Sequence, residues 1–475
     1  MSDYEVINPK KILLVLVLIS YVAIRVWHLS HFAFGFDEIF SIGVAKMSWG
    51  SMMRAIVADL VHPPLFYILL KLWIWIGGTS AFWLRLLPCI LSLLIVVPLQ
   101  GLCNELMLPK LAVATVFILV TFNQLLILYS QELRMYSLLA LFSTTSIWLF
   151  IRFIIGKKDY VVFGFLLVTN LAMIYTHYYG FVYIGSQFLV MCIWTYYRHE
   201  VEKLKLYLLS LPILGIAFSP WAIAVIRAIH ICVAPCSIHT GGINYNLDWI
   251  RLPSREDIVS FYYTLDGVLP FRHATPIALF LFMLPVVLAF RTTRRLEVAT
   301  LGVFAFLPTA IGIVTSYILP YSVFGPRFLI GCVIPYLLMI VMSVYLMTSF
   351  RRSMSTILVL WTIWAGISFV RISDRKVAWN VVAKKIGSNA PVYTTQDYVE
   401  LPLTYYGVKN ILLQKQDVPD KDFIFVYRES RRENPKEVWE TQGYGIVDTA
   451  SESGRAGTIV ILHLHRRYDK WKGDS

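Results

Sequence analysis

The stretch KILLVLVLISYVAIRVWHLSHFAFGFDE, residues 11–38, sets the reading of the whole chain. Residues 12–29 form a hydrophobic span close to the roughly 20 residues that cross a bilayer core. Asp37 and Glu38 follow at once in Gly35-Phe36-Asp37-Glu38, with Phe32, Phe34, Phe36 and Phe40 around them. They are the only acidic pair in the first hundred residues. Two adjacent carboxylates at the mouth of a membrane helix are costly unless solvated or used. A solvated loop start is the plain alternative, and the rest of the chain bears on the choice.

Working outward, 57% of the 475 residues are hydrophobic and 15% are charged, against about 25% charged in soluble proteins. Residues 111–128 and 328–348 repeat the spanning pattern, so the chain reads as a polytopic membrane protein. Its net charge of +13 is carried by clusters in short loops, which is what orientation in a membrane requires and not a nucleic-acid signature. The N-terminal span has no small-residue cleavage pattern and reads as a retained helix. Cys89, Cys103, Cys192 and Cys332 fall inside spans as small core residues. Cys232 and Cys236, near His230 and His239, fit a metal site, a disulfide or two unpaired thiols, and their spacing matches no established zinc pattern. No Asn-x-Ser/Thr acceptor occurs, consistent with a prokaryotic source.

Lys10 and Lys11 put the N-terminus in the cytoplasm and Asp37 and Glu38 on the outer face. Met53, Ile56, Val57 and Leu60 share one face of an expected interfacial helix, with Ser51 as its N-cap. His62-Pro63-Pro64 then opens an apolar helix over residues 65–76, too short for a full crossing and ended by Gly77-Gly78. If that helix stays at the outer surface, spans follow at 86–103, 111–128, 136–151, 160–176, 181–197, 206–229, 276–290, 297–318, 328–348 and 354–370. Nearly every Lys/Arg cluster then lies inside, whereas a crossing at 65–76 would put them all outside. The expectation is about eleven transmembrane helices plus interfacial ones, over residues 1–370. A long outer loop spans 230–275, and a small extracytoplasmic α/β domain follows at 371–475. Strands are expected at Val392-Tyr393, Phe423–Tyr427 and Thr458–His463, and helices at Trp379–Ile386 and Tyr398–Tyr406.

The polar clusters in this topology all map to the outer face. They are Asp37 and Glu38, His62, the run Tyr129 to Tyr136 with Glu132 and Arg134, His177-Tyr178-Tyr179, and Tyr321 with Pro326 and Arg327. Singly, each has an ordinary reading: the arginines snorkel and the tyrosines form an interfacial belt. Jointly they describe one outward-facing cavity. Carboxylates suit a general base acting on a hydroxyl. Arginines suit a phosphate, because the guanidinium stays charged and bonds its oxygens in pairs. Two carboxylates with a His could also hold a divalent metal ion, although no spacing demands one.

Phe-Asp-Glu at 36–38, His-Pro-Pro-Leu at 62–65, Ser-Gln-Glu-Leu-Arg-Met-Tyr-Ser at 130–137, Tyr-Thr-His-Tyr-Tyr at 175–179 and Gly-Pro-Arg-Phe at 325–328 occur in this order. In that order the chain resembles the GT-C glycosyltransferases that use polyprenyl-phosphate sugars. The branch is that of the protein O-mannosyltransferases and aminoarabinose transferases, in its bacterial members, over residues 10–375. The resemblance implies an inverting membrane glycosyltransferase, with a polyprenyl-phosphate-linked sugar as donor and a lipid, glycan or protein hydroxyl as acceptor. It makes Asp37 the catalytic carboxylate and lets the loop 230–275 cover the lipid donor. With it, Asp37 and Glu38 are the catalytic candidates. His62, Tyr129, Glu132, Arg134, Tyr136, His177, Tyr178 and Arg327 are the substrate-binding ones. The chain lacks the large acceptor-recognition domains of some relatives. A lipid or glycan transporter is the main alternative, and would show polar residues at midplane or broken helices in paired halves. A non-catalytic anchor presenting residues 371–475 would leave the clusters unexplained.

Overall fold

The computed structural model describes residues 9–233, 252–266, 294–319, 322–346, 351–371 and most of 377–466, with isolated positions between 283 and 287. Cys236, Tyr321, the side chain of Cys232, the span at 276–290 and most of the loop at 230–275 lie outside the described residues. The chain divides into two compact units. One comprises Met1–Trp27 and Val44–Arg371, and the other His28–Gly43 and Ile372–Ser475.

The first unit is helical. Its elements are α1 (Pro9–Val26), α3 (Trp49–Asp59), α4 (Leu65–Gly77), α5 (Ala81–Leu93), α6 (Val96–Glu105), α7 (Lys110–Phe122), α8 (Gln124–Ser130), α9 (Tyr136–Ile155), α10 (Tyr160–Thr176), α11 (Tyr179–Arg198), α12 (Val201–Val233), α13 (Arg255–Asp266), α14 (Arg295–Ile318), α15 (Val333–Leu346) and α16 (Arg351–Arg371). Each expected span other than 276–290 coincides with one of these helices or with two in series. Among the described residues, four helices are long and apolar enough to cross a membrane: Ala81–Glu105, Tyr136–Ile155, Val201–Ile229 and Arg295–Ile318. The bent pair α7 and α8 makes a fifth, and α4, α10, Val15–Val26 and Ile330–Leu346 are shorter apolar helices.

Buried polar groups tie these helices together. Ser146 on α9, Asn170 on α10 and Gln187 on α11 hydrogen-bond one another, and the Tyr207 hydroxyl of α12 donates to Gln187. In a lipid-facing bundle, where apolar contact with a neighbouring helix gains little over contact with lipid, such bonds supply interhelical attachment. Arg25 of α1 is wholly buried. It donates to Ser92 Oγ at 3.0 Å and to the carbonyls of Val120 and Thr121 at 3.2 and 3.3 Å, at the end of α7. Those carbonyls lose their intrahelical partners because the chain bends there by 53°. Asn123 makes the bend. Its Oδ1 accepts the Leu126 N–H to cap α8, and its Nδ2 donates to Leu265 O. The apolar run 111–128 reads as one straight helix in sequence, and a single Asn with a side chain able to replace a backbone bond breaks it.

The interfacial helix α3 forms as expected but starts earlier. Ser48, not Ser51, is its N-cap, and Ser51 supplies the N–H that Ser48 Oγ accepts. Its buried residues are Met52 and Ile56, so the inward face is rotated from the one expected.

The second unit carries α2 (Phe36–Lys46) up to Gly43, and the tail elements α17 (Trp379–Ile386), β1 (Val392–Thr394), α18 (Asp397–Tyr405), β2 (Ile411–Leu413), β3 (Phe423–Arg428), β4 (Tyr444–Gly454) and β5 (Gly457–Arg466). The sheet order is β2-β1-β3-β5-β4, with β1 parallel to β2 and β3, and the β3-β5-β4 strands antiparallel. Alternation sends Val392, Ile424, Val426, Ile459 and Ile461 to a core with Val382, Ile386, Val399 and Leu403 of α17 and α18. Tyr393, Phe425 and Leu462 point the other way, into a second core around Trp439. β2 and β4 are strands that the sequence reading did not place.

Candidate active site

Four of the five sequence motifs, all but Phe-Asp-Glu, meet in the first unit at the breaks between helices. Arg134 sits in the turn between α8 and α9 and is 4% exposed. Its guanidinium lies 3.5 Å from the Tyr67 hydroxyl of α4 and 3.4 and 3.5 Å from the two ring nitrogens of His62. His62 stands just before the two prolines that open α4, with Asp59 Oδ2 3.9 Å from its Nδ1. His177 ends α10, its ring meeting His62 edge-on with centroids 5.4 Å apart. Phe328, Tyr179 and Tyr136 close round His177 at 5.0, 5.7 and 6.3 Å, and Tyr129 stacks edge-on against Tyr136 at 4.8 Å. Arg327 lies over the rings of Tyr136 and Phe328, 5.7 and 5.4 Å from their centroids, a contact that favours a cation by about 0.5–1 kcal/mol.

The turn holding His177 is built for close approach. Its backbone N–H bonds Met173 O and its carbonyl accepts the Gly180 N–H at 2.8 Å. A Cβ on Gly180 would stand 2.9 Å from the backbone nitrogen of Ile174, so only glycine brings α11 this near α10. The Tyr179 side chain is fixed separately, its hydroxyl donating to Val323 O at 2.7 Å.

The state of His177 follows from its surroundings. Burial, then the His62 ring, then the charges of Arg327 and Arg134 hold its pKa well below the usual imidazole range, so the ring is neutral. The Tyr179 N–H donates to Nδ1 at 3.1 Å. That nitrogen is therefore the acceptor and the proton resides on Nε2. Among the described residues the Nε2 atom is buried without a hydrogen-bond partner. A buried donor lacking an acceptor is unfavourable.

Six of the candidates from sequence are thus linked: His62, Tyr129, Arg134, Tyr136, His177 and Arg327. Tyr178 accepts a hydrogen bond from Trp221 of α12 at 3.1 Å. Glu132 is half-buried in the Arg134 turn, and its carbonyl accepts the Arg134 N–H. Asp59, Tyr67 and Phe328 belong to the cluster and were not singled out for it, and Tyr179, named with His177 and Tyr178 among the outer-face groups, was not among the substrate-binding candidates. Asp59, three residues before His62, was the one with a local signal. Among the described residues no group of three or more His, Cys, Asp or Glu side chains is arranged to hold a metal ion.

Asp37 and Glu38 lie in the second unit. Gly35 is the N-cap of α2, and Glu38, 1% exposed, turns its Oε2 back to accept the Gly35 N–H at 3.0 Å. This is the reciprocal half of a capping box. Asp37, half-buried, occupies the first turn, where the free N–H groups of a helix start favour a negative charge.

No protein-family model matches the sequence, and no curated protein matches it significantly. Solved structures do match. The chain is similar to ArnT from Cupriavidus metallidurans in the apo state, at 12% identity and a TM-score of 0.59, over 98% of this chain and 100% of that one. ArnT bound to undecaprenyl phosphate matches at 12% identity and a TM-score of 0.57, over 98% and 99%. The Archaeoglobus fulgidus oligosaccharyltransferase tethered to an acceptor peptide matches at 12% identity and 0.51, over 86% of this chain and 60% of that one. The chain has the GT-C fold. It is a multi-pass membrane protein with a small mixed α/β tail domain.

Proposed function

We propose that this chain is an inverting glycosyltransferase that moves a sugar from a polyprenyl phosphate to an acceptor hydroxyl at the outer face of a bacterial inner membrane. The observation that carries the reading is the His177 Nε2–H, a buried donor on a ring that feels the charges of both Arg327 and Arg134. One neutral donor and two fixed guanidinium groups suit a phosphate monoester or diester. Support comes also from the shared fold, since a neighbour of that fold was solved with undecaprenyl phosphate.

In this reading the acceptor oxygen attacks the anomeric carbon from the face opposite the phosphate. The new C–O bond forms as the bond to the phosphate oxygen breaks, and the acceptor's proton passes to Asp37. The phosphate leaves as an anion whose charge Arg134, Arg327 and the His177 Nε2–H meet. Such preorganised stabilisation is usually the largest single contribution to catalysis. Glu38 holds the start of α2 so that Asp37 is presented. His62 and Glu132 position sugar and acceptor, while Tyr129, Tyr136 and Tyr178 supply apolar walls with polar tips. The acceptor is a lipid, a glycan or a protein.

The donor class is tested with detergent-purified protein given a polyprenyl-phosphate sugar or a nucleotide sugar in parallel. Transfer is expected from the lipid donor alone, and transfer from the nucleotide sugar alone would overturn the proposal. Orientation is tested by single cysteines. Lys110→Cys is expected to label only from the cytoplasm and Ser451→Cys only from outside. The reverse pattern would invert the positive-inside assignment.

A further inference from the structure

The tail domain and the segment bearing Asp37 form one compact unit, although 328 residues (44–371) separate them in sequence. The contact is specific. The Phe34 backbone N–H donates to the hydroxyl of Tyr406 at 2.7 Å. The Phe34 ring, 5% exposed, meets Tyr405 edge-on, with centroids 6.0 Å apart and planes at 87°.

Tyr406 is held rigidly enough to serve as an anchor. It is the C-cap of α18, and the chain closes behind it in a complete Schellman motif. Val408 N bonds Leu403 O, and Gly407 N bonds Thr404 O. Gly407 has φ +91°, a conformation that a side chain would strain. Val408 and Leu403, the two residues that such a motif brings together, are both buried in the core beneath α18. The phenol is therefore fixed by the helix end and by that core.

On the other side, Phe34 immediately precedes the N-cap of α2. Glu38 and Ile39 N–H groups both bond Gly35 O, and Glu38 Oε2 returns to Gly35 N. The Tyr406 hydroxyl thus bonds the residue that immediately precedes the capped first turn of α2, three residues before Asp37. We propose that Tyr406 is a positioning residue, through which the tail domain sets the placement of Asp37; this deepens the transferase reading and rests on it. It assigns the tail a task in catalysis rather than in acceptor recognition.

The test is Tyr406→Phe in the full-length purified protein, which keeps the ring and removes the acceptor for the Phe34 N–H. Hydrogen exchange is expected to rise in a peptide covering residues 32–40 while α17, in the tail core, stays protected. In transfer assays kcat is expected to fall about tenfold with KM for the polyprenyl-phosphate donor held within about twofold, the split expected when a reacting group is misplaced and binding is not. Unchanged exchange would show that the anchor does not hold the segment. Raised exchange with unchanged kcat would show that it does not position the base. If Tyr406→Phe also exposes α17, Tyr405→Ala, which removes the other ring seated on Phe34, decides: it must show the same kcat loss with α17 protected, or the proposal fails. Wild-type transfer is measured alongside. Its absence would bring down the transferase reading and the positioning role with it, while the exchange result still reports whether the anchor exists.

Discussion

Asp37→Asn is expected to abolish turnover while expression, membrane insertion and donor binding persist. The substitution keeps shape and removes the negative charge that would receive the acceptor's proton. Loss of a positioned base costs about 10²–10⁴ in rate. Asp37 is half-buried in the first turn of α2, Asn is its near-isostere, and the Gly35 cap of that helix is made by Glu38. The Asn variant should therefore fold. The measurement is single-turnover transfer by purified protein, with donor binding followed separately. A variant that transfers sugar at near wild-type rate would exclude Asp37 as the base. Glu38→Gln gives a useful contrast. Its carboxylate accepts a backbone N–H, a bond an amide oxygen can also accept, so its loss of activity is expected to be much smaller.

The second large effect is expected at the cluster of Arg134, Arg327 and His177, proposed to meet the phosphate. Arg134→Lys and Arg327→Lys each keep a positive charge and lose the planar fork. Arg134 is the more demanding position, since its guanidinium is buried against Tyr67 and both nitrogens of His62. A lysine there reaches fewer of those partners. Arg134→Lys is expected to lower kcat/KM for the lipid donor by about 10²–10³, the range for deleting one preorganised donor to a developing oxyanion. Arg327, packed on Tyr136 and Phe328 at the partly exposed side, should lose less. Steady-state kinetics with donor varied at fixed acceptor, then the reverse, reads both. Acceptor KM should stay close to wild type. A defect in acceptor KM with donor parameters unchanged would remove the phosphate from this cluster.

Much of the architecture was legible without coordinates because the signals are local. α10 spans Tyr160–Thr176 and α17 spans Trp379–Ile386, the bounds that apolar periodicity and flanking breakers suggested. β1, β3 and β5 coincide with short β-branched and aromatic runs. β4 did not show itself, since Tyr444–Gly454 carries two Gly, two Ser, an Asp and a Glu among its 11 residues. It is a strand because the hairpin with β5 supplies its partner, with a register irregularity between Ile446 and Asp448. The bend at Asn123 was missed for the converse reason. A polar residue inside an apolar run reads as tolerated until the Leu265 carbonyl is seen accepting from it.

For the site, the sequence by itself singled out the residues proposed to carry chemistry and, through positive charge in the loops, the end of the helices expected to hold them. Carboxylate, imidazole and guanidinium groups at helix ends are visible because they are costly there. Only the tertiary structure decided which of them lie together. His62 meets Arg134 across 72 residues of chain and Phe34 meets Tyr406 across 372, and no periodicity extends so far. Nor could sequence settle the proton on His177. That depends on the Tyr179 N–H turned onto Nδ1 and on the burial and the two arginine charges that keep the ring neutral. These are properties of packing, which brings distant groups into a low-dielectric space where a single proton or hydrogen bond counts for more than it does in water.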